Sequence, residues 1–314
     1  MSNERVPLDE LFDRRLEFPD TTARKRFARL VGLDDAKTRL VKLLACLVNP
    51  AGPRAWAAKH HRGSTTLLDY LDRRPPLVVL AGDVGTGKTE LAETVGDAVA
   101  RQESIDVTLY PLSLATRGSG KVGEMTQLLA AAFDEVFEAG KRLHRADGRR
   151  AGGGIILLID EADALAQSRE ASAMHHEDRA GVNAFIRGID RLSNQGLPVA
   201  VIMATNRLAA IDPAVRRRAA EVFEFARPNR EQRYAVLEVP LNEAGLSASD
   251  IATLAELTGP VDKQSVGFTF SDLTQRVLPL LVLDAYPDRP ITAERARELV
   301  RAMKPTPAFN QEGR

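Results

Sequence analysis

LVVLAGDVGTGKTELAETVGDAVA (77–100) is the stretch on which the fold turns. Five apolar residues, too few for a helix of that apolarity, run into GDVGTGKT (82–89), and a helical pattern follows. Strand, glycine turn and helix are the setting in which G-x-x-x-x-G-K-[ST] works as a phosphate loop. Glycines 82, 85 and 87 let the backbone curl until its N–H groups converge on phosphate oxygens. Lys88 adds a positive charge at the β- and γ-phosphates, and the Thr89 hydroxyl is a ligand for Mg²⁺. ATP with Mg²⁺ is therefore expected along Gly82, Asp83, Val84, Gly85, Thr86, Gly87, Lys88 and Thr89.

Working outward, two further apolar runs read as buried parallel strands, IILLID (155–160) and VAVIMAT (199–205), with IDVTLY (105–110) a weaker one. Between them Met125, Leu128, Leu129, Ala132, Phe133, Val136 and Phe137 repeat at the spacing of one buried helix face. Strands alternating with helices make an α/β fold with a mostly parallel sheet flanked by helices. IILLIDEAD (155–163) puts Asp160 at the carboxyl end of a buried strand, where it can hold Mg²⁺ through water. Glu161 beside it can orient and polarise an attacking water, so the acidic pair implies hydrolysis rather than passive binding. Asn206, at the tip of VAVIMATN, can hydrogen-bond the γ-phosphate or the water without adding charge.

After Arg227 no strand is expected, and the chain reads as helices over 230–244, 248–257, a third begun by Thr269 or Ser271, and a fourth capped by Thr292. The boundaries drawn are a segment 1–26, an α/β domain 27–227, a small all-helical domain 228–304 and a loose, flexible tail 305–314. Lys plus Arg and Asp plus Glu both number 43, so no global field exists to drive duplex binding by counterion release. Cys46 alone excludes an intramolecular disulfide and a cysteine-rich zinc site, and reads as a plain buried side chain. The N-terminal stretch has no signal-peptide core and no apolar run reaches membrane-spanning length. A soluble, cytoplasmic protein is the expectation.

Phosphate loop, acidic pair, strand-end Asn and a helical C-terminal domain together resemble an AAA+ ATPase, from about Arg26 to about Ala302. The resemblance implies a P-loop NTPase-type sheet followed by an AAA+ lid domain, and a homo-hexameric ring. RFARLVGLDDAK (26–37) resembles the family segment whose backbone, here near Val31 and Gly32, meets adenine. IDPAVRRRAAEVFEFARP (211–228) resembles the region carrying the trans-acting arginine finger, which matches Arg218 first and Arg217 second. VGFTFSDL (266–273) resembles a lid motif, with Arg276 a further candidate nucleotide sensor. Ring translocases of the family grip polypeptide with an aromatic-hydrophobic-Gly pore loop. Here the matching stretch RGSGKVGE (117–124) has Lys121 in the aromatic position and Val122 after it. His175–His176 and His60–His61 are adjacent pairs that diverge on a helix and carry no metal site. The short stand-alone form is similar to pachytene-checkpoint-type remodellers of HORMA-domain proteins, as found in bacterial antiphage signalling operons. A protein substrate is thus expected, with a DNA-associated helicase loader or transposition helper as the alternative. Zero net charge, 5% aromatic residues and no helix-turn-helix speak against nucleic acid.

Overall fold

The computed structural model describes residues 11–12, 14–61, 66–114, 124–145, 150–163, 176–207, 211–262 and 265–309 of the 314-residue chain. It divides into two units. The first holds Met1–Ala28, Asp35–Ala81 and Thr89–Glu224, and the second Arg29–Asp34, Gly82–Lys88 and Phe225–Arg314.

The first unit is built on a sheet of six strands among the described residues: β1 (Leu16–Phe18), β2 (Leu77–Gly82), β3 (Val107–Ser113), β4 (Gly154–Asp160), β5 (Val199–Thr205) and β6 (Ala219–Phe225). Their order is β1-β3-β4-β5-β2-β6. The pairs β3–β4, β4–β5 and β5–β2 are parallel, whereas β1 runs antiparallel to β3. The helices among the described residues include α1 (Thr21–Ala28), α2 (Asp34–Val48), α3 (Ala51–His60), α4 (Thr66–Asp72), α5 (Lys88–Glu103), α6 (Glu124–Leu143), α7 (His176–Ser193) and α8 (Pro213–Arg216). Odd-numbered residues of β2, β4 and β5 pack with Leu129, Phe133 and Val136 of α6 and with Phe185 and Ile189 of α7. The intervening residues Val78, Leu80, Ile156, Leu158 and Ile202 are equally buried, so both faces of the sheet are covered. The α6 face is the one its apolar spacing predicts.

Two strands escape the sequence reading. β6 (AAEVFEF) alternates weakly and carries two glutamates, as suits a strand at the sheet's edge. β1 is three residues long. β3 starts two residues later than expected and runs on through Pro111 to Ser113. Pro111 is tolerated because, among the described residues, β1 pairs only with Val107–Leu109, leaving no partner on that side for a missing N–H. Cys46 is only partly buried, a correction: it lines a cleft of about 460 Å³ with Leu43, Arg54, Arg74 and Pro198, and burial still pushes its thiol up.

The helical part of the second unit comprises α9 (Arg230–Glu243), α10 (Ala248–Leu257), a π-helical turn Asp272–Val277 leading into α11 (Leu278–Ala285), and α12 (Ala293–Ala302). Leu237, Leu241, Ile251, Leu254, Phe268, Leu273, Val277, Leu281 and Val300 form its core. Asn229 and Gln232 close a reciprocal capping box on α9, and Ser247 and Thr292 cap α10 and α12. Thr269 rather than Ser271 starts the third helix: its Oγ1 accepts from Asp272 N, and its N–H donates to the Asp272 carboxylate, each at 3.0 Å. Residues 305–309, read from sequence as part of a loose tail, are hydrogen-bonded in place through Thr306 and Phe309.

Candidate functional site

The loop Gly82–Lys88 belongs to the second unit. Gly82 has φ 155°, and a Cβ there would stand 2.1 Å from the Phe225 carbonyl oxygen, so only glycine fits. Gly85 has φ 72° and faces Thr269, while its carbonyl accepts from Ser271 N at 3.0 Å. The lid motif therefore docks directly on the loop. Lys88 Nζ donates to the carbonyls of Gly82 (2.9 Å) and Asp83 (2.8 Å), and Thr86 Oγ1 to that of Asp83 (2.7 Å). Val84 is exposed and Thr86 buried. Gln232, whose Oε1 serves the α9 capping box, donates through Nε2 to the Gly32 carbonyl at 2.7 Å. Leu30 and Leu33, on either side of Val31 and Gly32, approach Gly87. The expected adenine segment and phosphate loop are thus neighbours.

The acidic residues lie in the first unit. Ala81 of β2 is in register with Thr205 of β5, and Met203 of β5 with Ile159 of β4. Asp160, Glu161 and Asn206 consequently emerge at the sheet edge where the chain leaves β2. β5 stands between β4 and β2, so it is Asn206, not Asp160, that follows the strand next to β2. Asp160 Oδ1 accepts from the Glu161 N–H at 2.8 Å. Glu161 is exposed at φ 53°, a left-handed backbone that costs a non-glycine residue about 1–3 kcal/mol. Ser113 Oγ, at the end of β3, donates to Glu161 Oε2 at 2.6 Å. Asn206 is fixed by Asp163, which accepts its N–H at 2.7 Å and its side-chain amide at 3.3 Å, and also takes the Thr205 hydroxyl at 2.7 Å. Sequence reasoning missed Ser113 and Asp163. Asp163 ends the quoted IILLIDEAD, and Ser113 would have been reached had β3 been read through its proline.

Thr89 and Asp160 offer a hydroxyl and a carboxylate, hard oxygen donors that fit Mg²⁺ completed by phosphate and water. Among the described residues no group of three or more His, Cys, Asp or Glu is arranged to hold a metal by itself. Arg218 is engaged within the chain: Nε and Nη2 donate to the two Asp190 oxygens at 2.6 and 2.9 Å, and Nη1 to the Ala214 carbonyl at 3.1 Å. That pairing holds its guanidinium more firmly protonated. Arg217 is exposed and makes no side-chain hydrogen bond or ion pair among the described residues. Arg276 donates to Asp272 at 2.6 Å and to the Lys304 carbonyl at 3.2 Å. Lys121, Val122 and His175 lie outside the described residues.

In the second unit a glycine loop between strand and helix carries a helical lid motif, in the first an acidic pair and an asparagine end strands of a parallel sheet, and each feature is one of a nucleotide-binding AAA ATPase. The chain belongs to that family, and the profile of the "ATPase family associated with various cellular activities (AAA)" matches residues 78–227. Among its relatives is "CD-NTase-associated protein 6" of Escherichia coli (strain MS 115-1), 61% identical over 307 residues that cover 98% of each chain. Of solved structures, the "Structure of E. coli MS115-1 HORMA:CdnC:Trip13 complex" contains a chain with TM-score 0.88 and 60% identity, covering 97% of this chain and 99% of that one. The "Structure of Rhizobiales Trip13" gives TM-score 0.73 and 52% identity, covering 94% and 99%. The remodeller reading stands over the DNA alternative. No helix among the described residues is long and apolar enough to cross a membrane.

Proposed function

We propose that this chain is a Mg²⁺-dependent ATP hydrolase that works as a homo-hexameric ring and remodels a HORMA-domain protein, in the setting of bacterial antiphage signalling. The observation that carries the hydrolytic part is the sheet edge at which Asp160, Glu161 and Asn206 stand together, with Ser113 on Glu161 and Asp163 on Asn206. In this reading the N–H groups of Gly82–Thr89 and the Lys88 ammonium bind the β- and γ-phosphates, and the backbone at Val31 and Gly32 meets adenine. Thr89 and Asp160 would hold Mg²⁺, which neutralises phosphate charge when bound. Glu161 aligns the attacking water and accepts its proton, and Asn206 steadies the γ-phosphate or that water. A neighbouring subunit supplies an arginine to the charge that develops on the transferring phosphoryl group. Arg217 is the better placed of the two candidates, since Arg218 is committed to Asp190. Lys121 and Val122 would line the axial channel.

The partner comes from the relatives, one found in a complex with a HORMA protein and CdnC and another named as CD-NTase-associated. The decisive test mixes the purified chain with a HORMA-domain protein bound to its target and follows release with and without ATP. ATP-dependent release, lost in Glu161→Gln, is expected. Robust ATP turnover with no change in the HORMA complex would sink the assignment of the partner.

A further inference from the structure

Asp83, second residue of the phosphate loop, faces two ways. Its carbonyl accepts from the Lys88 ammonium at 2.8 Å and from Thr86 at 2.7 Å. Its carboxylate is gripped from the other side. Oδ1 accepts from the N–H of its neighbour Val84 at 2.8 Å and from the N–H of Phe309 at 3.2 Å. Oδ2 accepts from Arg227 Nε at 2.7 Å. Arg227 Nη2 is 2.7 Å from that oxygen, an ion-pair contact without hydrogen-bond direction. The two side chains are 13% and 20% exposed, so the pair is shielded from solvent and screened less than a surface pair. Arg227 spends its Nη1 on the carbonyls of Gly267 and Thr306, both at 2.7 Å.

The segment that supplies Thr306 and Phe309 is itself anchored. Thr306 donates through N and Oγ1 to the two oxygens of Asp272, at 3.0 and 2.7 Å, and Arg276 donates to the Lys304 carbonyl at 3.2 Å. Pro305–Phe309 thus forms a strap tied at Thr306 to the lid helix and at Phe309 to the loop. A glycine-rich loop has wide conformational freedom, and it binds phosphate well only if its N–H groups are held in direction beforehand.

We propose that Arg227 and the strap Pro305–Phe309 are positioning elements for the phosphate loop. They fix the Asp83 carboxylate, and through the Asp83 carbonyl they fix the Lys88 ammonium, so nucleotide affinity depends on residues that need not touch nucleotide. This rests on the loop being the ATP site.

Titration of the full chain with a fluorescent ATP analogue, together with steady-state kcat and KM, tests it. Arg227→Gln and a chain ended at Lys304 should each raise Kd and KM about tenfold, as expected when a charge-assisted bond is lost, while kcat stays within about twofold. Arg227→Lys, which keeps the cation and loses the fork, should recover part of the affinity. Thr306→Val, a milder change that leaves the chain whole, should raise Kd about threefold. Combining Asp83→Asn with Arg227→Gln should cost no more than either alone, because both remove one contact. Wild-type affinity in the chain ended at Lys304 and in Thr306→Val, or penalties that multiply in the double variant, would overturn the proposal. Lys88→Ala separates the two levels. If it binds nucleotide like wild type, the loop is not the ATP site and the underlying reading fails with it. If it loses binding while the strap variants do not, only the strap fails.

Discussion

Glu161 sits at φ 53° with its carboxylate on the Ser113 hydroxyl and its N–H on Asp160, so two hydrogen bonds set its position. Glu161→Gln keeps the shape and the hydrogen bond but loses the base. It should bind ATP as wild type does and lower kcat by about 10²–10⁴-fold. Unchanged turnover in a phosphate-release assay would remove Glu161 from the mechanism. The arginines split similarly. With all three kinds of donor on Arg218 committed to Asp190 and Ala214, Arg218→Ala should chiefly lower the unfolding temperature. Arg217→Ala should leave the unfolding temperature within about a degree, being exposed, and cut ATP turnover. If Arg217→Ala hydrolyses ATP normally and Arg218→Ala does not, the finger is Arg218, its pair with Asp190 being exchanged on assembly.

At the element scale the start of the π-helical turn is the informative place. Asp272 is almost wholly buried, and burial would push its carboxyl up. Bonds from Thr269 N, Thr306 Oγ1 and N, and Arg276 outweigh that and hold it below the usual carboxylate range. A carboxyl held low in the folded chain adds stability that is complete above its unfolded pKa of about 3.9 and lost as pH falls through the folded value. Thermal unfolding followed from pH 6 to pH 3 should therefore show a steep acid-side fall in wild type that is shallower in Asp272→Asn. Equal slopes would mean the carboxylate is not held low. Sequence left this helix start open between Thr269 and Ser271, since both are good capping residues. The reciprocal bond to Asp272 settles it in favour of Thr269.

For the whole molecule, an arginine acting on a neighbour's nucleotide makes turnover a property of the assembly. Activity per chain should rise with protein concentration, and added Arg217→Ala chains should depress wild-type turnover by more than their share. Turnover strictly proportional to protein, in a species that light scattering shows to be a monomer, would defeat the ring. The axial channel proposed for the ring has its own readout. Replacing Lys121 and Val122 with Ala and Gly should leave ATP turnover within a few-fold and abolish release of the HORMA partner. Added salt should also weaken engagement if the Lys121 cation matters, and DNA should not stimulate turnover.

What the sequence determined by itself is what local chemistry dictates. The loop GDVGTGKT, the three apolar strands, the buried face of α6 and the cap Thr292 all follow from side-chain size, periodicity and backbone freedom over a few residues. Residues whose role depends on a distant partner were not legible. β6 is a strand because β2 offers it an edge, not because AAEVFEF is strongly patterned. Ser113 and Asp163 matter through Glu161 and Asn206, which stand 48 and 43 residues away. Arg227 and Phe309 reach the phosphate loop across 144 and 226 residues. Hydrogen bonds and ion pairs at that separation form only after the backbone is in place. Tertiary structure alone therefore chose which carboxylates are held, which arginine is left exposed, and what grips the loop.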